Sequence, residues 1–80
     1  MNIDAIKAQL TEVFRDTFDE PGLEISAATT ADDIDKWDSL SHIDLILAVE
    51  QSFKIKLTTR EVRSMKNVGD FMNLIEQKVS

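Results

Sequence analysis

The sequence predicts an all-α protein: a four-helix bundle with three longer helices, a short third helix and a long first loop. Three observations carry this. Apolar residues recur at helical spacing in three segments. Capping and turn residues stand between those segments. The one alternating run, Phe53-Lys54-Ile55-Lys56-Leu57, has no partner strand in the sequence and is flanked by helices.

The first helix is expected from about Asn2 to Phe18. Ile3, Ile6, Leu10, Val13, Phe14 and Phe18 fall on one face. Asp4 near its start and Arg15 near its end suit the helix dipole. Pro21-Gly22 is expected to end it. Residues 23 to 38 lack sustained periodicity, with Leu23, Ile25, Ile34 and Trp37 as apolar anchors and one short turn around Asp32 to Ile34. Such a loop is long for so small a domain, and its length implies a purpose beyond connection.

The second helix is expected from Ser39 to Phe53, with Asp38 or Ser39 as its N-cap. Leu40, Ile43 and Leu47, with Ile46, Val49 and Phe53, make a wide apolar stripe. Leu45 widens it further, so this helix should pack on more than one side. The alternating run then reads as an extended connection with Phe53 and Leu57 turned inward. Thr58 or Thr59 caps the short third helix, with Glu61 near the capping-box position. Val62 and Met65 should pin that helix to the core. The last helix runs from about Asn67 to Lys78, buries Val68, Phe71, Met72, Ile75 and Val79, and carries Gly69 in its first turn.

Eighty residues bound the chain to a single domain, residues 1–80. A domain of this size has a small core and little room for an enclosed catalytic cleft. That favours binding or carrying over catalysis. Fifteen acids against nine bases give a net charge of −6, which disfavours nucleic acid. The charge is uneven: eight acids and one lysine lie from Asp16 to Asp38, and five bases with only Glu61 against them from Lys54 to Lys66. The acids near Ser39 read as a recognition surface, the basic half as a solvated face attracted to the acidic one. There is no cysteine, so no disulfide, thiolate nucleophile or cysteine metal site arises. No signal peptide or membrane-length apolar run is seen. A free-standing cytoplasmic domain, monomeric alone and with no membrane partner, is the expectation.

Chemistry concentrates at Asp35-Lys36-Trp37-Asp38-Ser39-Leu40, where the acidic loop becomes a helix. A serine at a helix start is commonly only a cap. Here it follows a long loop, an acid and the single tryptophan. An anion attached at Ser39 is favoured by the helix N-terminus. A hydrolytic role is not: His42 lies one turn on, on the same helix, with no evident group to orient it. His42 reads as a surface residue of the second helix.

Trp37-Asp38-Ser39-Leu40, followed by Ile43, Asp44, Leu45, Glu50 and the Phe53–Leu57 run, resembles the acyl carrier protein family, which includes peptidyl and aminoacyl carrier domains. The resemblance covers nearly the whole chain. It implies an acyl-carrier-like bundle in which Ser39 bears a covalent 4′-phosphopantetheine taken from coenzyme A, with magnesium needed only for attachment and Asp38 assisting it. It implies a non-catalytic carrier that holds an acyl, polyketide or aminoacyl intermediate as a thioester. Its partners would be a phosphopantetheinyl transferase, an acyl- or aminoacyl-activating ligase, and a synthase or acyltransferase. Leu40, Ile43 and Leu47 would meet partners through apolar contacts, Asp44 and Glu50 through acidic ones, and Met65 would frame the arm. Ser41, where the family commonly has an acid, Trp37, and the bases from Lys54 to Lys66 depart from the family pattern and imply a specialised carrier rather than the housekeeping fatty-acid one. The alternative is an unmodified acidic helical interaction module.

Overall fold

The computed structural model describes residues 2–34 and 36–79, with Ser39 described by its backbone. Four helices follow in order: α1 (Ile3–Phe18), α2 (Ser39–Phe53), α3 (Thr59–Ser64) and α4 (Val68–Val79), with one 3₁₀ turn (Ala31–Asp33) in the long loop. The all-α bundle expected from the sequence is the observed fold.

Helix α1 is the centre of the bundle and packs against both α2 and α4. Its face of Ile6, Leu10, Val13, Phe14 and Phe18 is buried, because those positions repeat at the helical period and share one stripe. Ile3, expected on that face, is exposed at the helix's open end. The Asn2 side chain caps the start by accepting the Ala5 N–H at 2.8 Å. The helix stops before Pro21-Gly22, not at it. Asp19 takes the left-handed conformation (φ 54°), and the Asp19 and Glu20 N–H groups both bond the Arg15 carbonyl. Aspartate tolerates that conformation, so the chain has already left the helix when it reaches the proline.

Helix α2 carries two apolar stripes. Leu45, Val49 and Phe53 are buried, four residues apart, and face α1. Leu40, Ile43 and Leu47 point away and are 77, 59 and 52% exposed. The expectation that α2 packs on more than one side is corrected: no described element covers the second stripe. Lys54 ends α2 in the left-handed conformation (φ 58°), and the Ile55 N–H returns to the Glu50 carbonyl at 3.1 Å. In the extended connection Ile55 is buried as well as Phe53, and Leu57 is partly buried against the same core.

Helix α3 is attached at its ends rather than through a buried face. Its N-cap is Thr58, which accepts the Glu61 N–H at 3.2 Å while Glu61 accepts the Thr58 N–H at 2.9 Å. No residue of α3 is fully buried, and Val62 is only half-buried. Met65, just past its end, packs on the core. A Lys78–Glu61 ion pair at 3.0 Å ties α3 to the end of α4.

The long loop is fastened at several points. Ile25 and Ile34 are buried in the core. The Val68 and Gly69 N–H groups, at the start of α4, donate to the Thr29 and Ala27 carbonyls at 2.8 and 2.9 Å, so the loop satisfies donors the helix itself leaves unpaired. Lys36 Nζ donates to the Phe18 carbonyl at 3.1 Å and lies 3.5 Å from Glu20. No ion pair among the described residues joins the acidic half to the bases from Lys54 to Lys66: the three ion pairs are Arg15–Glu12, Lys36–Glu20 and Lys78–Glu61.

Candidate functional site at the start of α2

The start of α2 is built by a reciprocal cap. Asp38 is the N-cap residue, and Ser39 is the first helical residue. Asp38 Oδ1 accepts the Leu40 and Ser41 N–H groups at 3.0 and 2.9 Å. In return, Ser41 Oγ accepts the Asp38 N–H at 2.8 Å and donates to the Lys36 carbonyl at 2.6 Å. One hydroxyl therefore pins both the cap residue and the loop two residues before it. The Ser41 N–H, then the Ser41 hydroxyl, holds the Asp38 carboxyl below its ordinary 3.8, because each bond favours the ionised form.

The Leu40 and Ser41 N–H groups at the helix start are taken by Asp38. The His42 N–H bonds the Asp38 carbonyl at 2.9 Å. The Ser39 side chain lies outside the described residues.

Trp37 braces the site against the core. Its ring meets Phe14 edge-on at 5.2 Å and lies tilted against Phe18 at 6.4 Å. Its indole N–H donates to His42 Nδ1 at 3.0 Å, and the two rings stack at 6.0 Å and 25°. So His42 is oriented, contrary to the sequence reading, and is half-buried rather than a free surface residue. Burial lowers its pKa below 6.5, which favours neutral imidazole.

A cavity of about 430 Å³ opens beside this pair, lined in part by Trp37, Asp38, His42, Met65, Lys66 and Phe71. Met65 is thus brought to the site. Leu40, Ile43, Asp44 and Leu47 form an exposed ridge along α2. Glu50 is partly occupied within the fold, since its carboxylate accepts the Leu57 N–H at 2.8 Å. The sequence reading missed three features: Ser41 as half of the cap, Trp37 as the partner of His42, and Lys66 on the cavity wall. The Asp-x-x-Ser spacing carries the first. The second is a contact across five residues, set by how the loop turns into α2; the third depends on how the chain past α3 returns to α2. No group of three or more metal-ligating side chains is present among the described residues.

The bundle thus places Ser39 as the first residue of a capped helix, beside an uncovered apolar ridge. No family model matches the chain. Individual proteins do. The chain is 32% identical to an acyl carrier protein of Petrotoga mobilis over 82 residues, covering 100% of this chain and 94% of that protein. It is 31% identical to an acyl carrier protein of Thermosynechococcus vestitus over 61 residues, covering 76% of this chain and 74% of the relative. The solution NMR structure of holo acyl carrier protein from Geobacter metallireducens superposes with a TM-score of 0.85 at 43% identity, over 96% of this chain and 84% of that one. The chain belongs to the acyl carrier protein family. Its general role is that of a non-catalytic thioester carrier that uses phosphopantetheine and works with partner enzymes.

Proposed function

We propose that Ser39 bears 4′-phosphopantetheine through a phosphodiester, and that the terminal thiol of the arm holds a specialised acyl, polyketide or aminoacyl intermediate as a thioester. The observation that carries this is the placement of Ser39 as the first residue of α2, directly after the Asp38 cap and directly before the 77% exposed Leu40. A group attached there leaves the bundle without disturbing its core. The donor set nearby suits the arm, because Lys66 and His42 line the adjoining cavity.

Asp38 serves attachment through its exposed carboxylate. It is held ionised, and its cap bonds fall on Oδ1. Magnesium shared with the phosphopantetheinyl transferase would meet oxygen ligands of this kind. Leu40, Ile43 and Leu47 supply apolar contacts to partner enzymes, and Asp44 supplies a charge at their edge. Glu50 contributes less, given its bond to Leu57. The partners are the transferase, an acyl- or aminoacyl-activating ligase and a synthase or acyltransferase, met in the cytoplasm.

Ser41, Trp37 and the bases that make no ion pair among the described residues support a specialised cargo. Ser41 is neutral and serves the cap, so this position adds no charge to α2. The basic stretch changes the sign of the surface beyond the ridge.

Intact mass after incubation with coenzyme A, magnesium and a promiscuous phosphopantetheinyl transferase tests the attachment. One phosphopantetheine is expected on the wild type and none on Ser39→Ala, with both proteins helical by circular dichroism. Equal gain on the variant would place the arm elsewhere. No gain on folded wild type would leave an unmodified interaction module.

A further inference from the structure

The exposed stripe of α2 changes character along its length. It starts apolar with Leu40, Ile43 and Leu47, and at helical spacing it continues through Gln51 to Lys54. Past Leu47 a hollow of about 330 Å³ opens between the end of α2 and the connection to α3, lined by Leu47, Glu50, Gln51, Lys54, Ile55 and Lys56. Glu50 fixes the backbone there. The Lys54 and Ile55 N–H groups both donate to its carbonyl, and the Leu57 N–H donates to its carboxylate at 2.8 Å. Buried Ile55 anchors the chain between the two lysines. Lys54 and Lys56 thus leave a held backbone, and both are exposed. Neither makes an ion pair among the described residues, even with half-buried Glu50 in the same hollow.

The fold alone does not account for this pair of bases. Lys54 holds φ at 58°, a conformation in which glycine or asparagine is less strained. The helix dipole favours one cation at this end, but Lys56 stands beyond it on the extended connection.

We propose that the Lys54–Lys56 end of α2 docks an acidic rim on an enzyme that handles the carrier, with two carboxylates meeting the lysines and one apolar side chain entering the hollow beside Leu47. The inference rests on the carrier reading for what meets the ridge. The stripe then has a sign at each end, with Asp38 and Asp44 toward the start and the lysines at the finish, so a complementary partner receives α2 in one direction only. A compact protein rim suits the face better than an extended polyanion. Asp44 lies about 15 Å back along α2, beyond the Debye length of about 8 Å at physiological salt. A pair of carboxylates therefore senses the lysines alone. A membrane surface or nucleic-acid backbone also lies against Asp44 and Asp38, on a chain of net charge −6.

The test is an NMR titration of isotope-labelled protein with two synthetic helical peptides. Both carry the same stripe of leucines, flanked in one by glutamates and in the other by lysines. The glutamate peptide should shift the amides of Lys54, Ile55 and Lys56 more than the lysine peptide does, against the preference set by the net charge. The double variant Lys54→Asn, Lys56→Gln should bind the glutamate peptide about three- to tenfold more weakly. It should keep the wild-type melting midpoint, because asparagine accepts the left-handed conformation. Equal or larger shifts at these amides with the lysine peptide overturn the inference, as does unchanged affinity in the double variant. Co-sedimentation of wild type with phosphatidylglycerol vesicles, lost in the double variant, gives the face to a membrane and overturns it too. Loading of Ser39 is followed separately by intact mass. A failed titration on protein that loads overturns the inference alone, whereas no mass gain on folded protein overturns the carrier reading.

Discussion

The Gly69 N–H donates to the Ala27 carbonyl at 2.9 Å, and a Cβ on that glycine would stand 3.0 Å from the same oxygen. With the Val68 N–H bond to the Thr29 carbonyl, this contact fastens the middle of the long loop to the start of α4. The neighbour is backbone, so it cannot swing aside as a side chain could.

Gly69→Ala should therefore destabilise the protein. Helix propensity alone favours alanine by about 1 kcal/mol, and in an open first turn the change would be harmless. Here the crowding should outweigh it, with a net loss of about 1–3 kcal/mol. Thermal melts followed by circular dichroism should fall by about 4–8 °C for each kcal/mol lost. An unchanged or higher midpoint would mean that the loop yields without cost.

Ser41→Ala should loosen the approach to α2 more than α2 itself. The change leaves the Asp38 N–H and the Lys36 carbonyl without their side-chain partner, while the bonds from Asp38 Oδ1 to the Leu40 and Ser41 amides survive. A stability loss of about 1 kcal/mol is expected for half of a cap. The sharper readout is hydrogen exchange, which should accelerate at the Asp38 amide and stay unchanged in the middle of α2. Uniform acceleration along the helix would show that Ser41 holds the helix and not the loop.

His42 gives the fold a pH dependence of definite sign. Burial lowers its folded pKa below the ordinary 6.5, so the unfolded chain binds the proton more readily. Its contribution to stability is then complete above that ordinary value and is lost as pH falls through the lowered one. Protonation also removes the Nδ1 acceptor from the Trp37 indole. Urea unfolding followed by Trp37 fluorescence should give a lower midpoint at about pH 5 than at about pH 8. His42→Gln, whose amide oxygen can still accept the indole N–H, should flatten that difference. The Asp38 contribution lies lower, since its loss begins only as pH falls toward 3.8 and below. A midpoint that does not change from about pH 8 to about pH 5 would show that His42 binds its proton equally well in the folded and unfolded chain.

The helices were legible because their signals are local. The 3.6-residue period marked α1, α2 and α4, and the Thr58–Glu61 and Asp38–Ser41 spacings sit within one turn of the bonds they make. The ends at Phe18 and Phe53 fall where the periodicity stops. What terminates the helices was not legible: Asp19 and Lys54 do so in the left-handed region although neither is glycine, ahead of Pro21-Gly22 in the case of α1. Asp38 and Ser39 both looked like caps, and only the bonds to Oδ1 assign that role to Asp38.

Taken alone, the sequence determined an all-α domain, the position of Ser39 at the start of its second helix, and the acidic loop leading there. These follow from periodicity and from caps that act over three or four residues. Tertiary structure decided which stripe of α2 is buried, because Leu45, Val49 and Phe53 meet α1 while Leu40, Ile43 and Leu47 meet nothing described. It also decided that Gly69 is needed for a close approach to Ala27 and that Lys66 shares a cavity with Asp38. Each of these depends on segments far apart in the chain coming together. Burial and long-range hydrogen bonds are set by that packing, and a local pattern of residues does not encode it.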